Sequence, residues 1–230
     1  MSKKILFIGA HPDDVEFGCG GIVIKEVAKG NVVKIIVLSK GEAGTHGTGE
    51  IREQEARDAA KLVGAEIDFL DFGGDSHLQH SPAYSIQLAK EFRIFKPNIV
   101  IAIDPYENQH PDHSASGKLA RDASRLARYK GVPELAEYPI NAIEALYFYR
   151  VTIDPEPDII IDITEYKDKW DAAMRCHKSQ MATRDYVALR GTISASLGMR
   201  VGVKYAMGLR SNDPIVVDSP SDILAGARNF

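Results

Sequence analysis

Two short segments concentrate residues able to bind a metal ion or move protons. The first, Gly9-Ala10-His11-Pro12-Asp13-Asp14-Val15-Glu16, places an imidazole and two carboxylates within four positions. The second, Gln109-His110-Pro111-Asp112-His113, places two imidazoles around a further carboxylate. A divalent ion held by two imidazoles and one carboxylate, with a position left for water, is the usual layout of a catalytic zinc site. Nitrogen donors argue against magnesium or calcium, which take oxygen ligands. Either segment alone reads most simply as a His-Pro-Asp turn, so the argument depends on the two being brought together.

The surrounding pattern supplies the means. Residues 4–9 read as a buried strand, so His11, Asp13 and Asp14 emerge at its carboxyl end. Further strands are expected at 32–38, 66–72 and 99–103, alternating with helices at 15–29, 51–63, 83–95 and 111–128. The second His-Pro-Asp segment follows the fourth strand, with Pro111 suited to a helix start, His110 near its cap and His113 in its first turn. Strands at 146–151 and 159–163 and a helix from Thr164 to about 178 complete a less regular second half. This alternation predicts a Rossmann-like α/β fold, a mostly parallel sheet with helices on both faces, as one domain over 1–230. In such sheets, sites form in the crevice beyond the carboxyl ends of the strands.

A dinucleotide site is excluded at the first turn. Gly18, Gly20 and Gly21 lie about nine residues beyond the strand rather than directly after it. Carboxylates at 13 and 14 would also oppose a pyrophosphate. The glycines are expected instead to let the first helix pack closely.

Composition narrows the remaining classes. The chain has 230 residues, 44% hydrophobic and 26% charged, with a net charge of −4, which leaves no basic footprint for nucleic acid. No apolar run approaches the ~18 residues of a membrane span, and the short apolar start lacks the pattern of a secretory leader. Two cysteines, Cys19 and Cys176, make no disulfide framework, so a cytoplasmic enzyme is expected.

The paired motifs His11-Pro12-Asp13-Asp14-Val15-Glu16 with Gly18, and His110-Pro111-Asp112-His113, resemble the LmbE-like (PIG-L) N-acetylglucosaminyl deacetylases, which include enzymes of the mycothiol and bacillithiol pathways. The likeness extends through 41–44, 52–55, 157–162, His177-Lys178-Ser179-Gln180 and 202–205, nearly the whole chain. The resemblance implies a zinc ion held by His11, Asp14 and His113. It implies Asp13 as general base and His110 as a charged imidazole stabilising the oxyanion, oriented by Asp112. The implied reaction is hydrolysis of an N-acyl amide, foremost N-acetyl, on a small amino-sugar conjugate. A homo-oligomer is also implied.

Arg52, at the start of a helix after the glycine-rich loop 41–49, is expected to bind substrate, since an arginine can grip a carboxylate or phosphate bidentately. Glu16 is expected to reach a sugar hydroxyl or to support a neighbouring group, and His177 to pack near the cleft. His46, His77 and His80 read as surface histidines in polar loops. Some relatives carry a tyrosine at the position of Asn108, so a tyrosine contribution to the oxyanion from that spot is not expected. Two alternatives stand beside the deacetylase reading. One is a related amidase acting on a cysteine conjugate or acylated polyamine; the other is a metal-bearing domain that binds a glycoside without turning it over. The second has no use for an unligated Asp13 beside Asp14.

Overall fold

A computed structural model describes residues 2–107, 109–153 and 156–222. Seven strands form a sheet in the order β3-β2-β1-β4-β5-β7-β6. The strands are β1 (Lys4–Gly9), β2 (Val32–Val37), β3 (Glu66–Phe69), β4 (Ile99–Ile103), β5 (Ala145–Tyr149), β6 (Ile159–Asp162) and β7 (Ala206–Ser211). The pairs β1–β2, β1–β4, β2–β3 and β4–β5 are parallel, whereas β7 runs antiparallel to both β5 and β6. The expected mostly parallel α/β sheet is therefore present, with an antiparallel edge.

Helices α1 (Asp14–Ala28), α2 (Gly49–Val63) and α5 (Lys167–Cys176) pack together, while α3 (Pro82–Phe95) packs against α4 (Pro111–Ala127). The chain leaves β1 toward β2 and β3, then returns to β4 on the other side of β1. Right-handed crossovers running in opposite directions place their helices on opposite faces of the sheet. They also open a crevice where the winding reverses, between the carboxyl ends of β1 and β4.

Local chemistry sets the helix ends. Thr48 caps α2 through a bond from Ile51 N, and Gly64 closes it in the left-handed region at φ 88°. Ser81 caps α3 ahead of Pro82. The core is built from apolar strands buried on both faces, Ile5 to Ile8 and Ile35 to Leu38 among them, as a covered parallel sheet requires.

Two glycines admit close approaches that set the site. A Cβ at Gly18 would lie 2.3 Å from the Tyr149 ring, so α1 can meet β5 only without a side chain there. A Cβ at Gly117 would lie 2.3 Å from the Ile103 carbonyl, so that glycine brings α4 down onto the end of β4.

The second half departs from expectation. The helix expected from Thr164 to about 178 is a 3-10 turn (Thr164–Tyr166), then α5, then a short α6 (Lys178–Met181). A further helix, α7 (Tyr186–Met199), and strand β7 have no counterpart in the sequence reading. The third strand ends at Phe69; residues 70 and 72 continue to bond to β2 and its extension without forming a strand.

Candidate active site

Loops from the carboxyl ends of β1, β3 and β4 meet over the crevice. His11, Asp13 and Asp14 come from the first, Asp75 and Ser76 from the second, and His110, Asp112 and His113 from the start of α4. All but the fully buried Asp112 line an open cleft of about 230 Å3. Both sequence segments are thus brought to one place.

Asp14 is pinned on one side and open on the other. Its Oδ2 accepts hydrogen bonds from Ala10 N (2.9 Å) and His11 N (2.7 Å). Its Oδ1 lies 3.1 Å from His113 Nε2. The two faces of the His11 ring are divided in the same way. Nδ1 sits 3.5 Å from Asp14 Oδ2, while Nε2 is held by Asp75 Oδ1 at 3.1 Å and Asp112 Oδ2 at 3.2 Å.

Two groups of side chains bring possible ligand atoms within 4.8 Å of one another: His11, Asp14 and His113, and His11, Asp75, His110 and Asp112. Their prior commitments differ. In the second group Asp112 Oδ2 also accepts from Ser76 N (2.7 Å) and Asp75 Oδ2 from Ala43 N (3.2 Å). In the first group His113 Nδ1 is buried with no hydrogen-bond partner. Buried polar atoms are rarely left unpaired without a reason. Three buried side chains that bring N and O donors within reach of one another fit a transition-metal ion.

The electrostatics match that fit. Burial acts to raise the Asp14 carboxyl, yet His113 and His11 hold it well below the usual carboxylate range. Burial acts to lower the His11 and His113 imidazoles, but the carboxylates of Asp112, Asp14 and Asp75 around the first, and of Asp14 beside the second, raise both.

Asp13 is unusual on three counts. Its φ of 126° and ψ of −26° lie in a region costly for any residue but glycine. It occupies the cap position of α1, where aspartate normally bonds a backbone N–H, yet its side chain makes no such bond. Its carboxylate instead meets Arg52 Nη2 at 3.3 Å. Burial pushes the Asp13 carboxyl up to about 6; Arg52 works against this and Asp14 adds to it.

The structure redistributes several expected partnerships. Asp112 carries its carboxylate to His11 and Ser76 N; its Oδ1 is 3.9 Å from His110 Nδ1. What orients His110 is the Asp112 backbone N–H, which donates to Nδ1 at 3.2 Å. That bond leaves Nε2 as the protonated nitrogen and disfavours a second proton on the ring. Burial, then the positive charge of His11, lowers the His110 imidazole. Arg52 lines the cleft, but its guanidinium bonds Gly41 O (2.6 Å), Pro12 O (3.2 Å) and Asp13, which ties the loop to Asp13. Glu16 does not line the cleft. It is buried beneath it, with Oε2 3.4 Å from Nε2 of the equally buried His177. Position 108 lies outside the described residues.

Asp75 and Ser76 were absent from the sequence reading. The available signal was positional: Gly73-Gly74-Asp75-Ser76 follows the third strand at the same sheet edge as the two His-Pro-Asp segments. Asp75 is buried, which raises its carboxyl, but His11 holds it down at about 2.

Residues 6–124 match the family model described as PIG-L, GlcNAc-PI de-N-acetylase. The chain belongs to this family. It is 31% identical to the diacetylchitobiose deacetylase of Thermococcus kodakarensis over 90% of this chain and 82% of that protein. It is also 28% identical to the 4-oxalmesaconate hydratase of Pseudomonas putida, over 94% of this chain and 92% of that one. Among solved structures, N,N'-diacetylchitobiose deacetylase from Pyrococcus horikoshii superposes with a TM-score of 0.83 at 29% identity, covering 91% of this chain and 84% of that one. The family matches the resemblance carried by the paired motifs. Among the described residues no helix is long and apolar enough to cross a membrane.

Proposed function

We propose that this PIG-L family chain is a zinc-dependent hydrolase that removes the acetyl group from an N-acetylglucosamine-type conjugate, releasing acetate and the free amine. The observation that carries the reading is the buried His11–Asp14–His113 set beside an unligated, strained Asp13. His11, Asp14 and His113 would hold the ion. Zinc in such a set lowers the pKa of bound water to about 7 and polarises an amide carbonyl.

The chain's own groups supply the rest. Asp13, at about 6, has the basicity to take a proton from the attacking water near neutral pH. Arg52 holds the Asp13 carboxylate in place and fixes the Gly41 turn against it. His110 donates from Nε2 to the oxygen that gains charge in the tetrahedral intermediate, its ring fixed by the Asp112 N–H. Asp75 and Asp112 together fix the tautomer and orientation of His11, a role that carboxylates behind metal-bound imidazoles commonly serve. A cytoplasmic homo-oligomer completes the proposal.

The similarity to a hydratase favours a second reading, in which the same water-activating groups add water across a carbon–carbon double bond. Assay of acetate release from N-acetylglucosamine and its conjugates, with and without a chelator, separates the two. Chelator-sensitive acetate release supports the deacetylase. Hydration of 4-oxalmesaconate, an unsaturated tricarboxylate, with no acetate released from any conjugate refutes it. His113→Ala is expected to lose the ion, and full zinc occupancy in that variant would refute the ligand assignment.

A further inference from the structure

We propose that the substrate carries a narrow apolar group several carbons long, and that a groove along α7 receives it. This rests on the hydrolase reading for the bond that is broken, and on the shape of the cleft for the ligand. The small site around His11 adjoins a cavity of about 420 Å3 that shares Phe17, Gln109, Val151 and Tyr186 with it. That cavity in turn shares Thr152, Ile153, Arg190 and Ile193 with another of about 450 Å3, which reaches Trp170, Leu197 and Met207. An acetyl group needs none of this space.

Arg150, Arg184, Arg190 and Arg200 are part of the lining, and its apolar residues have the pattern of a rail. Leu189, Ile193 and Leu197 recur every four residues on α7, so they stand on one face of the helix over about 12 Å. All three are only half-buried, although a helix face in the core would cover them. Ile153, at the rim shared by both cavities, is 63% exposed. At the end nearest the site the Phe17 and Tyr186 rings stack at 4.7 Å and 15°, forming a flat apolar wall common to the cleft and the groove. A polar conjugate would leave these surfaces against water, whereas a hydrocarbon chain would cover them.

The apolar group could be borne on the acyl carbon or on the leaving amine's sugar, and two compounds distinguish these. N-octanoylglucosamine tests the first, and the octyl glycoside of N-acetylglucosamine the second, with N-acetylglucosamine as the reference. Each buried methylene is worth roughly fourfold, so kcat/KM for one of the two is expected to exceed the reference at least tenfold. Ile193→Asp, with Leu189→Asp as an independent second variant, is expected to abolish that gain and leave turnover of the reference unchanged.

Trp170 gives a readout free of catalysis. It is the chain's single tryptophan, buried at the wall of the inner cavity. A saturable change in its emission is expected with the octyl compound that gains in turnover, absent with the reference and lost in Ile193→Asp. If neither octyl compound gains and neither moves the emission, the groove is not a ligand site. If emission responds but no compound is hydrolysed, the groove stands and the deacetylase reading fails.

Discussion

Replacing Asp75 by asparagine tests the division of labour around His11. The two carboxylate oxygens serve different donors: Oδ1 faces His11 Nε2 at 3.1 Å and Oδ2 accepts from Ala43 N at 3.2 Å. An amide has one oxygen and one NH2, so either orientation sets an N–H against an N–H in a buried place. Leaving one donor unsatisfied costs about 1–3 kcal/mol. This appears as lower stability of the metal-free chain in urea unfolding. His11 also loses one of its two carboxylate supports and keeps only Asp112. Loss of such a partner typically weakens metal binding 10–100-fold, about 1.4–2.7 kcal/mol. Competition titration against a coloured chelator measures this directly. A zinc Kd within twofold of wild type would refute the role given to Asp75, because His11 would then be shown to need no support from that loop.

Asp13→Asn is expected to keep its zinc by metal analysis and to lose 10²–10⁴-fold in kcat, the usual range for a general base. Because carboxylates raise the His11 and His113 imidazoles, an incoming ion must displace protons held above the ordinary imidazole range. Apparent zinc affinity should therefore fall as pH drops through neutrality, and chelator competition at several pH values checks the sign. Arg93, buried and not part of the cleft lining, donates to the Ala127, Leu135 and Tyr138 carbonyls at 3.0, 2.6 and 3.0 Å and also to Leu126 and Tyr129. Arg93→Leu orphans carbonyls at the end of α4 and should cost roughly 3 kcal/mol or more in chemical denaturation, with metal content per folded molecule unchanged.

The first half of the chain was legible because its signals are local. Apolar runs at 4–9, 32–38 and 99–103 and Pro111 at a helix start define alternating strands and helices and so a mostly parallel sheet, while the reversal between β1 and β4 came from the tertiary structure. Once those strands are parallel, His11 to Asp14 and His110 to His113 must leave the same edge, so the site follows from chain order. The later elements lacked such signals. In β7, Ala206-Met207-Gly208-Leu209-Arg210-Ser211 contains no β-branched residue, and α7 buries Gly191, Ser194 and Gly198 while Leu189, Ile193 and Leu197 stay half-buried on another face, the reverse of the usual helix signal. β7 is placed by pairing between β5 and β6, and α7 by packing on β7.

Which atom serves which neighbour was decided only in three dimensions. Sequence adjacency suggested Asp112 for His110, but in an α-helix's first turn the cap's side chain meets the backbone N–H two residues on, leaving the Asp112 carboxylate to turn inward to His11. Asp75 stands 64 positions from His11 (75 − 11) and entered the site because its loop leaves the same edge of the sheet. Residue types and strand order could name the reacting groups. Hydrogen-bond partners between distant loops depend on distances of a few tenths of an ångström, and those are set by packing of the whole sheet and its helices.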